Sequence, residues 1–129
     1  MWDTGIIKYR MSQDFQSKQA LYFDYLLDLL KTTYAKNISD WTQCQGSDES
    51  RYLACSTLWI QEDAKLNCEL VYLDEDDQPL SPSKSFNLGR TYYNTRIDAL
   101  EQRLLQAGVR LAAVINRIVQ LSVKEQRIE

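Results

Sequence analysis

One uninterrupted amphipathic pattern near the end of the chain restricts the fold more than any other feature. Apolar residues recur there at alternating steps of four and three positions: Tyr93, Ile97, Leu100, Leu104, Ala107, Leu111, Val114, Ile118 and Leu121. This spacing places them on one face of an α-helix. The pattern predicts a long helix over about 91–121, with Ile97, Leu104, Leu111 and Ile118 facing a core. Gly108 costs this helix about 1 kcal/mol relative to alanine, so we expect another backbone to pass close to it.

Two other segments also have helical patterns. From about 13 to 34, apolar residues surround most of the circumference, which predicts a central helix covered on nearly all sides. After the Gly46-Ser47 break, apolar residues share a face up to Leu66, with Ser47 or Asp48 available as the N-cap of a helix over about 48–66. The connection over about 68–91 is predicted to be irregular, apart from a short strand at 70–72.

Composition agrees with a mostly helical domain. The chain has 129 residues, enough for one domain, and its 4 Gly and 2 Pro are too few for the turns of a many-stranded sandwich. We therefore predict a mostly α fold of packed helices in a single domain over 1–129. These helices present more apolar surface than they can hide from each other, so we expect a partner chain or another part of a larger domain.

Charge and histidine content exclude several kinds of function. The formal net charge of −3 argues against a general electrostatic grip on nucleic acid. Because the chain contains no histidine, it cannot by itself form a Ser-His-Asp triad, a Cys-His dyad or a thiolate-histidine zinc finger. No apolar run approaches the roughly 20 residues of a membrane span, and Met1 is not followed by a signal segment.

Clustered acidic residues and cysteines leave alternatives open. Residues 74–77 are all acidic and precede Pro79, which indicates a solvated loop rather than a cation site. The cysteines Cys44, Cys55 and Cys68 fit no C-x-x-C motif. In an oxidising compartment one pair can close and one thiol needs a partner elsewhere, whereas a cytosolic protein would keep all three reduced. The sequon Asn37-Ile38-Ser39 favours secretion, with N-glycosylation at Asn37.

Three stretches in order resemble the C-terminal part of the zinc-dependent single-strand nucleases and 3′-nucleotidases, the class I nucleases of the P-one and S-one type. The last helix is the most similar, through Tyr92-Tyr93, Ile97-Asp98, Glu101, Gly108, Arg110-Leu111-Ala112 and Ile115-Asn116. Trp59, Glu62, Leu66 and Cys68 form the second stretch, and Trp2-Asp3 looks like the end of an H-x-x-x-D zinc motif. The resemblance implies the C-terminal portion of a phospholipase C/nuclease-like all-α domain.

The same resemblance implies a function and a cofactor. The family hydrolyses phosphodiester bonds of single-stranded DNA and RNA and 3′-nucleotides, with zinc activating a hydroxide and stabilising the leaving oxygen. Asp3 is the one candidate zinc ligand in this sequence, because the histidine of the motif would fall two residues before Met1. We therefore assign no catalytic residue to this chain, and we expect the chain alone neither to retain zinc nor to cleave nucleic acid.

Further expectations follow from the family. Its members are secreted, and Cys68 resembles a cysteine that pairs with a residue of the N-terminal half, so Cys68 is expected to be free here. Cys44 and Cys55 would then pair locally, a closure worth about 2 to 3 kcal/mol if unstrained. From the residues themselves, we expect Arg110 to be a buried or half-buried ion-pair partner rather than a phosphate clamp. Six aromatic residues on apolar stripes are expected in the core, namely Tyr22, Tyr25, Tyr34, Tyr93, Trp2 and Trp59, while Trp41 is left open. Two other interpretations stay open beside the nuclease. The chain could be a secreted helical module that docks on a partner protein without catalysis, or a truncated gene product without independent activity.

Overall fold

The structure is a computed structural model, described over residues 2–43, 51–83, 85 and 88–125, without the side chains of Asp3, 51–54 and 124–125. The described residues form five α-helices, which are α1 (Ile7–Asp14), α2 (Gln19–Thr32), α3 (Ile38–Thr42), α4 (Arg51–Leu66) and α5 (Arg90–Glu125). Two π-helical turns, Trp2–Ile6 and Asn67–Val71, and a 3-10 turn, Ala35–Asn37, complete the helical elements described. Within these residues, β-structure is restricted to an isolated bridge between Leu73 and Pro79. The predicted mostly α fold is confirmed.

The chain divides into two compact units. The first contains Met1–Ser17 and Cys44–Leu100, and the second contains Lys18–Gln43 and Glu101–Glu129. Helix α5 contributes its first turns to the first unit and its remaining turns to the second. The assignment of residues 1–129 to a single domain stays a prediction.

The first predicted helix begins later than its pattern indicated. Helix α1 ends at Asp14, and Gln16 and Ser17 have left-handed backbone angles, with φ of 53° and 57°. The amide of Ser17 donates to the carbonyl of Met11 at 2.9 Å and closes the end of α1. Left-handed residues at a helix end are usually glycine, and neither of these residues is glycine, so no local stop signal marks the end of α1. The predicted helix over 13–34 is therefore wrong in its first turn, and α2 begins at Gln19.

The second predicted helix is present, but the strand expected after it is not. Helix α4 ends at Leu66 and continues into the π-helical turn Asn67–Val71, so the predicted strand at 70–72 is wrong. The amide of Tyr72 donates to the carbonyl of Asn67 at 3.0 Å, which closes this wide turn. Three apolar residues in a row do not distinguish a strand from the end of a helix. The proposed N-caps Ser47 and Asp48 lie outside the described residues.

The long helix predicted over about 91–121 is confirmed as α5, but its apolar face is mostly uncovered. Ile97 and Leu100 are buried, whereas Leu104, Leu111 and Ile118 are 38%, 61% and 55% exposed. The expectation that this face packs against a core is therefore wrong beyond Leu100. Residues buried further along are instead Glu101, Leu105, Gln106 and Arg110. A Cβ placed on Gly108 would meet nothing within 4 Å, so no described backbone approaches there.

Helix α2 also leaves apolar side chains in solvent. Tyr22 and Leu26 are buried, but Phe23 and Leu27, one turn apart, are 53% and 52% exposed. The described residues therefore do not cover this helix on nearly all sides, as its sequence pattern had predicted. The surplus of apolar surface expected from the sequence is present on both α2 and α5.

Length and composition alone would allow one helix to cross a membrane. This helix is the segment Arg90–Val123 of α5. Only 17% of its most apolar 18-residue stretch is buried. A core helix of a water-soluble domain passes the same test, so the observation is weak evidence for a membrane span. The sequence-based expectation that the chain has no membrane span stays a prediction.

Candidate functional site

The N-terminal turn carries Asp3, the one predicted zinc ligand. Asp3 lies in the π-helical turn Trp2–Ile6, beside a tryptophan that is hydrogen-bonded across the first unit. The Trp2 indole Nε1 donates to the Tyr92 hydroxyl at 2.8 Å, and that hydroxyl donates to the Val71 carbonyl at 2.8 Å. Tyr92 is 2% exposed, so this relay is protected from water on its α5 side. The backbone next to Asp3 is therefore anchored on α5.

Apolar packing reinforces this anchor. The core cluster of the first unit consists of Ile6, Tyr92, Ile97 and Leu100, and Trp2, Ile7, Leu88 and Tyr93 pack against it. The rings of Tyr9 and Tyr93 meet edge to face with centroids 4.7 Å apart, a favoured aromatic geometry. Because Ile6 and Trp2 flank Asp3 in the turn and both contact this cluster, they restrict how far the turn can move.

The acidic run at 74–77 is exposed, as predicted, but it is a folded turn rather than a loose loop. One carboxylate oxygen of Asp74 accepts from the amides of Asp76 and Gln78 at 2.9 and 2.8 Å. The amide of Leu80 donates to the carbonyl of Tyr72 at 2.8 Å and closes the base of the turn. These bonds satisfy the backbone locally, as aspartate side chains commonly do in turns.

Glu75 gives this turn a structural role that the sequence did not reveal. Its Oε1 accepts from the amides of Gly89 and Tyr92 at 3.0 and 3.3 Å, at the start of α5. The first amides of a helix lack intrahelical acceptors, and a carboxylate there also interacts favourably with the helix dipole. Glu75 therefore caps the helix that holds Trp2. A Cβ on Gly89 would lie 2.9 Å from the same oxygen, so glycine leaves room for the cap.

Arg96 joins the acidic turn to α5 from the other side. Its guanidinium is 2% exposed, donates to the Asp74 carbonyl at 3.0 Å and lies 4.7 Å from the centroid of the Tyr92 ring. The carboxylate of Asp77 is 3.7 Å away but is 80% exposed, so the carbonyl and ring contacts dominate. Tyr92 therefore contacts three residues of the first unit, which are Trp2, Glu75 and Arg96.

A pocket of about 260 Å³ opens beside the anchored turn. It is lined by Gly5, Ile6, Tyr9, Leu88, Gly89, Arg90, Tyr92 and Tyr93. The lining is mainly apolar and aromatic, with Arg90 as its cationic side chain. Such a lining suits a planar or apolar group better than a metal ion.

The described residues do not form a zinc site by themselves. No group of three or more Cys, Asp or Glu side chains among them is close enough together to hold a metal ion. The chain also contains no histidine anywhere. Zinc sites in proteins use four ligands, or three ligands and a water, so one carboxylate at Asp3 does not suffice. That Asp3 is the one zinc ligand offered by this chain stays a prediction.

In the second unit, polar groups are buried along α5. Glu101 is 1% exposed, and the Tyr25 hydroxyl donates to its Oε2 at 3.1 Å. Arg110 is 8% exposed, and its Nε donates to the carbonyl of the buried Trp41 at 3.1 Å. The predicted burial of Arg110 is therefore confirmed, while its pairing with an acidic residue stays a prediction. These bonds tie α2 and α3 to α5 within the unit.

The remaining predicted residues are dispersed. Cys68 is an exposed free thiol, Cys55 is buried, and Cys44 lies outside the described residues. The pairing of Cys44 with Cys55 stays a prediction. Asn37 is exposed at the end of the 3-10 turn, where an attached glycan would meet solvent. Cys55, Cys68 and Asn37 all lie outside the turn that carries Asp3.

Sequence reasoning missed Glu75 and the role of Tyr92. Tyr92 stands beside the apolar stripe rather than on it, and only its long-range partners reveal its function. Glu75 lies 14 residues before Gly89, too far for the local capping signals that mark a helix start, so only the folded connection reveals its role. Both residues act by positioning the backbone around Asp3 and α5.

Comparison with known proteins now identifies the family. The chain is similar to Endonuclease 5 of Arabidopsis thaliana, at 28% identity over 118 residues, covering 92% of this chain and 36% of that protein. It is 29% identical to Endonuclease 1 of the same plant, covering 92% of this chain and 35% of that protein. Nuclease S1 of Aspergillus oryzae is 28% identical, with 92% and 39% covered. No solved structure matches the chain significantly.

The fold is mostly helical, and the N-terminal turn that begins at Trp2 is anchored on α5 through Tyr92. The sequence model described as S1/P1 Nuclease matches residues 1–120. The chain belongs to the S1/P1 nuclease family, as its resemblance to the class I nucleases indicated. It spans between about a third and two-fifths of the length of the curated relatives named above.

Proposed function

We propose that this chain is the C-terminal portion of a zinc-dependent nuclease or 3′-nucleotidase domain. In its complete form, the domain hydrolyses phosphodiester bonds of single-stranded DNA and RNA and the phosphate esters of 3′-nucleotides. The observation that carries the proposal is the family match over 1–120, which includes the Trp2-Asp3 turn anchored on Tyr92. The endonuclease and nuclease names of the relatives support the same reaction class.

Asp3 serves as the one metal ligand from this chain. Trp2 and Tyr92 are positioning residues, because they fix the backbone that carries Asp3 without themselves offering a metal ligand of the usual kind. Zinc supplies Lewis-acid chemistry for phosphate ester hydrolysis when it is bound. Since the described residues do not form a zinc site alone, we assign the other ligands to the part of the domain that this sequence does not cover.

This division of labour makes the 129-residue chain inactive by itself. Its helices act as scaffold, and its substrate, a single-stranded nucleic acid or nucleotide, meets it only within the complete domain. The net charge of −3 is compatible with that substrate, because bound metal ions provide the positive field at the phosphate.

The complete protein enters the secretory pathway in this proposal. Cys44 pairs with Cys55, Cys68 pairs with a cysteine of the uncovered portion, and Asn37 carries an N-linked glycan. Cys68 and Asn37 are both exposed, which supports the assignments of the Cys68 disulfide and of the glycan. A cysteine from the uncovered portion and a glycan can reach only side chains at the surface. We also assign α5 to the folded domain rather than to a membrane, because Arg110 in its second half is buried against the Trp41 carbonyl.

A second candidate function draws on the exposed apolar residues of α2 and α5. A secreted helical module without catalytic activity would use such a surface to dock on a partner protein. This alternative predicts specific protein binding by a metal-free chain, and it requires no role for Asp3.

A fusion separates the two candidates. The chain is joined to the portion of Nuclease S1 of Aspergillus oryzae that it does not cover, and zinc content and hydrolysis of single-stranded DNA are measured. We expect bound zinc and cleavage in the fusion, and loss of both with Asp3→Asn. The matched control, Asp24→Asn, changes an exposed carboxylate on α2 and is expected to leave both unchanged. A folded fusion with neither zinc nor activity, or one indifferent to Asp3→Asn, would contradict the proposal.

A further inference from the structure

Arg96 is buried in the first unit in a way that stability alone does not explain. Its side chain is 2% exposed, and the Asp77 carboxylate that lies 3.7 Å from it is 80% exposed. The buried Nε of Arg96 has no hydrogen-bond partner among the residues that the structure describes. Burying a charge without a close, buried counter-ion and leaving a buried N–H unsatisfied both oppose folding. We therefore looked for a role of Arg96 in what it holds in place.

Two side chains of α5 hold backbone carbonyls of the segment 71–74. The Tyr92 hydroxyl donates to the Val71 carbonyl at 2.8 Å, and Nη2 of Arg96 donates to the Asp74 carbonyl at 3.0 Å. The two acceptors are three residues apart on the connection, and the two donors are about one helical turn apart on α5. Arg96 therefore fixes the register of this segment against the helix, and with it the position of the Val71 carbonyl.

Arg96 also restrains the ring of Tyr92. The guanidinium carbon lies 4.7 Å from the ring centroid, within the range of a cation–π contact. The Tyr92 hydroxyl donates its one hydrogen to Val71, so it accepts the bond from the Trp2 indole through a lone pair. A tilted ring or a displaced Val71 carbonyl would break this arrangement. Arg96 restrains the ring directly and the carbonyl through the segment 71–74.

We infer that Arg96 is a positioning residue for the proposed metal ligand Asp3, and that it acts through Tyr92 and Trp2. The inference rests on the proposed function, in which Asp3 binds zinc. In this assignment Arg96 touches neither metal nor substrate, and it holds the residues that anchor the turn Trp2–Ile6. Outer residues that orient metal ligands typically change metal affinity by about 10- to 100-fold when they are mutated.

Hydrogen exchange of the tryptophan indoles tests the first step without zinc. NMR follows the Trp2 and Trp59 indole N–H groups in the 129-residue chain, and Trp59 is the reference because it lies on α4 of the same unit. In Arg96→Met we expect Trp2 exchange to accelerate at least about fivefold more than Trp59 exchange. The control Lys8→Met removes an exposed cation of α1 and should leave the ratio of the two rates unchanged.

Equal acceleration at both indoles would indicate a purely structural role and would overturn the inference. Arg96→Lys serves as a second variant in case Arg96→Met does not fold. It keeps the charge and a donor for the Asp74 carbonyl but loses the planar guanidinium over the Tyr92 ring. We expect the same selective effect on Trp2 in smaller measure, and the absence of any selective effect would also overturn the inference.

Zinc affinity tests the second step in the fusion to the uncovered portion of Nuclease S1. Competition with a chelator gives the dissociation constant of zinc for each variant. We expect Arg96→Met to weaken zinc binding by about tenfold, and to add less than about twofold when it is combined with Tyr92→Phe. The two losses do not add because Arg96 acts through Tyr92. Additive losses would contradict that route.

The two experiments separate the inference from the proposed function. A fusion that binds zinc equally well with and without Arg96→Met would leave the proposed function in place and overturn the positioning role. A folded fusion that binds no zinc would instead remove the proposed function. Selective acceleration of Trp2 exchange would then still establish the link from Arg96 to Trp2, but not its role for a metal.

Discussion

Removing a single oxygen atom tests the anchor of the N-terminal turn. Tyr92→Phe keeps the buried ring against Arg96 and Ile97 but deletes the hydroxyl that joins Trp2 to Val71. Two hydrogen bonds of 2.8 Å are lost, and each contributes about 0.5 to 1.5 kcal/mol net. Because Trp2 is only half-buried, water can replace part of its bond, so we expect a total loss of about 1.5 to 2.5 kcal/mol.

Urea denaturation followed by tryptophan fluorescence measures this loss. The matched control, Tyr72→Phe, removes the hydroxyl of a tyrosine that is 62% exposed and is expected to change stability by less than about 0.5 kcal/mol. A double-mutant cycle with Trp2→Phe should give a coupling of about 1 kcal/mol between Trp2 and Tyr92. A loss below about 0.5 kcal/mol for Tyr92→Phe, or a coupling near zero, would refute the claim that Tyr92 anchors the turn.

Three other predictions concern the cap, the second unit and the cysteines. Glu75→Gln should lower the free energy of unfolding by about 1 kcal/mol, because it removes the charged cap of α5. The control Asp76→Asn should have little effect, and equal urea midpoints for the two variants would contradict the cap. Arg110→Met should lower the free energy of unfolding by about 1 to 3 kcal/mol, because it leaves the buried carbonyl of Trp41 without the Arg110 donor. An unchanged urea midpoint would contradict a stabilising role for this hydrogen bond. Peptide mapping without reduction should recover Cys44 joined to Cys55, and a Cys68 bridge to either would overturn the assignment.

The sequence predicted helices well where a long periodic pattern existed. Helix α5 was predicted within a few residues of its observed ends, because a pattern held over many turns leaves no competing secondary structure. The break before α2 was missed, because Gln16 and Ser17 adopt a left-handed conformation that glycine usually signals. Periodicity also cannot say whether a partner for an apolar face lies within the same chain, so the stripe beyond Leu100 was wrongly placed in a core.

The candidate site was only partly predictable. The resemblance of Trp2-Asp3 to a zinc motif singles out Asp3; the family is confirmed, and the role of Asp3 as a zinc ligand stays a prediction. The hydrogen bond from Trp2 to Tyr92 joins residues 90 positions apart, and no local pattern predicts such a pairing. The cap from Glu75 likewise depends on how the connection to α5 folds, which composition and periodicity do not determine.

Zinc content and nuclease activity of the purified 129-residue chain test the proposed division of metal ligands. We assign one ligand, Asp3, to this chain and the remaining ligands to the uncovered portion of the domain. After zinc loading and dialysis, we therefore expect no retained metal, no cleavage of single-stranded DNA or RNA, and no change in melting temperature on chelation or with Asp3→Ala. Stoichiometric zinc with cleavage that disappears in Asp3→Ala would contradict this assignment.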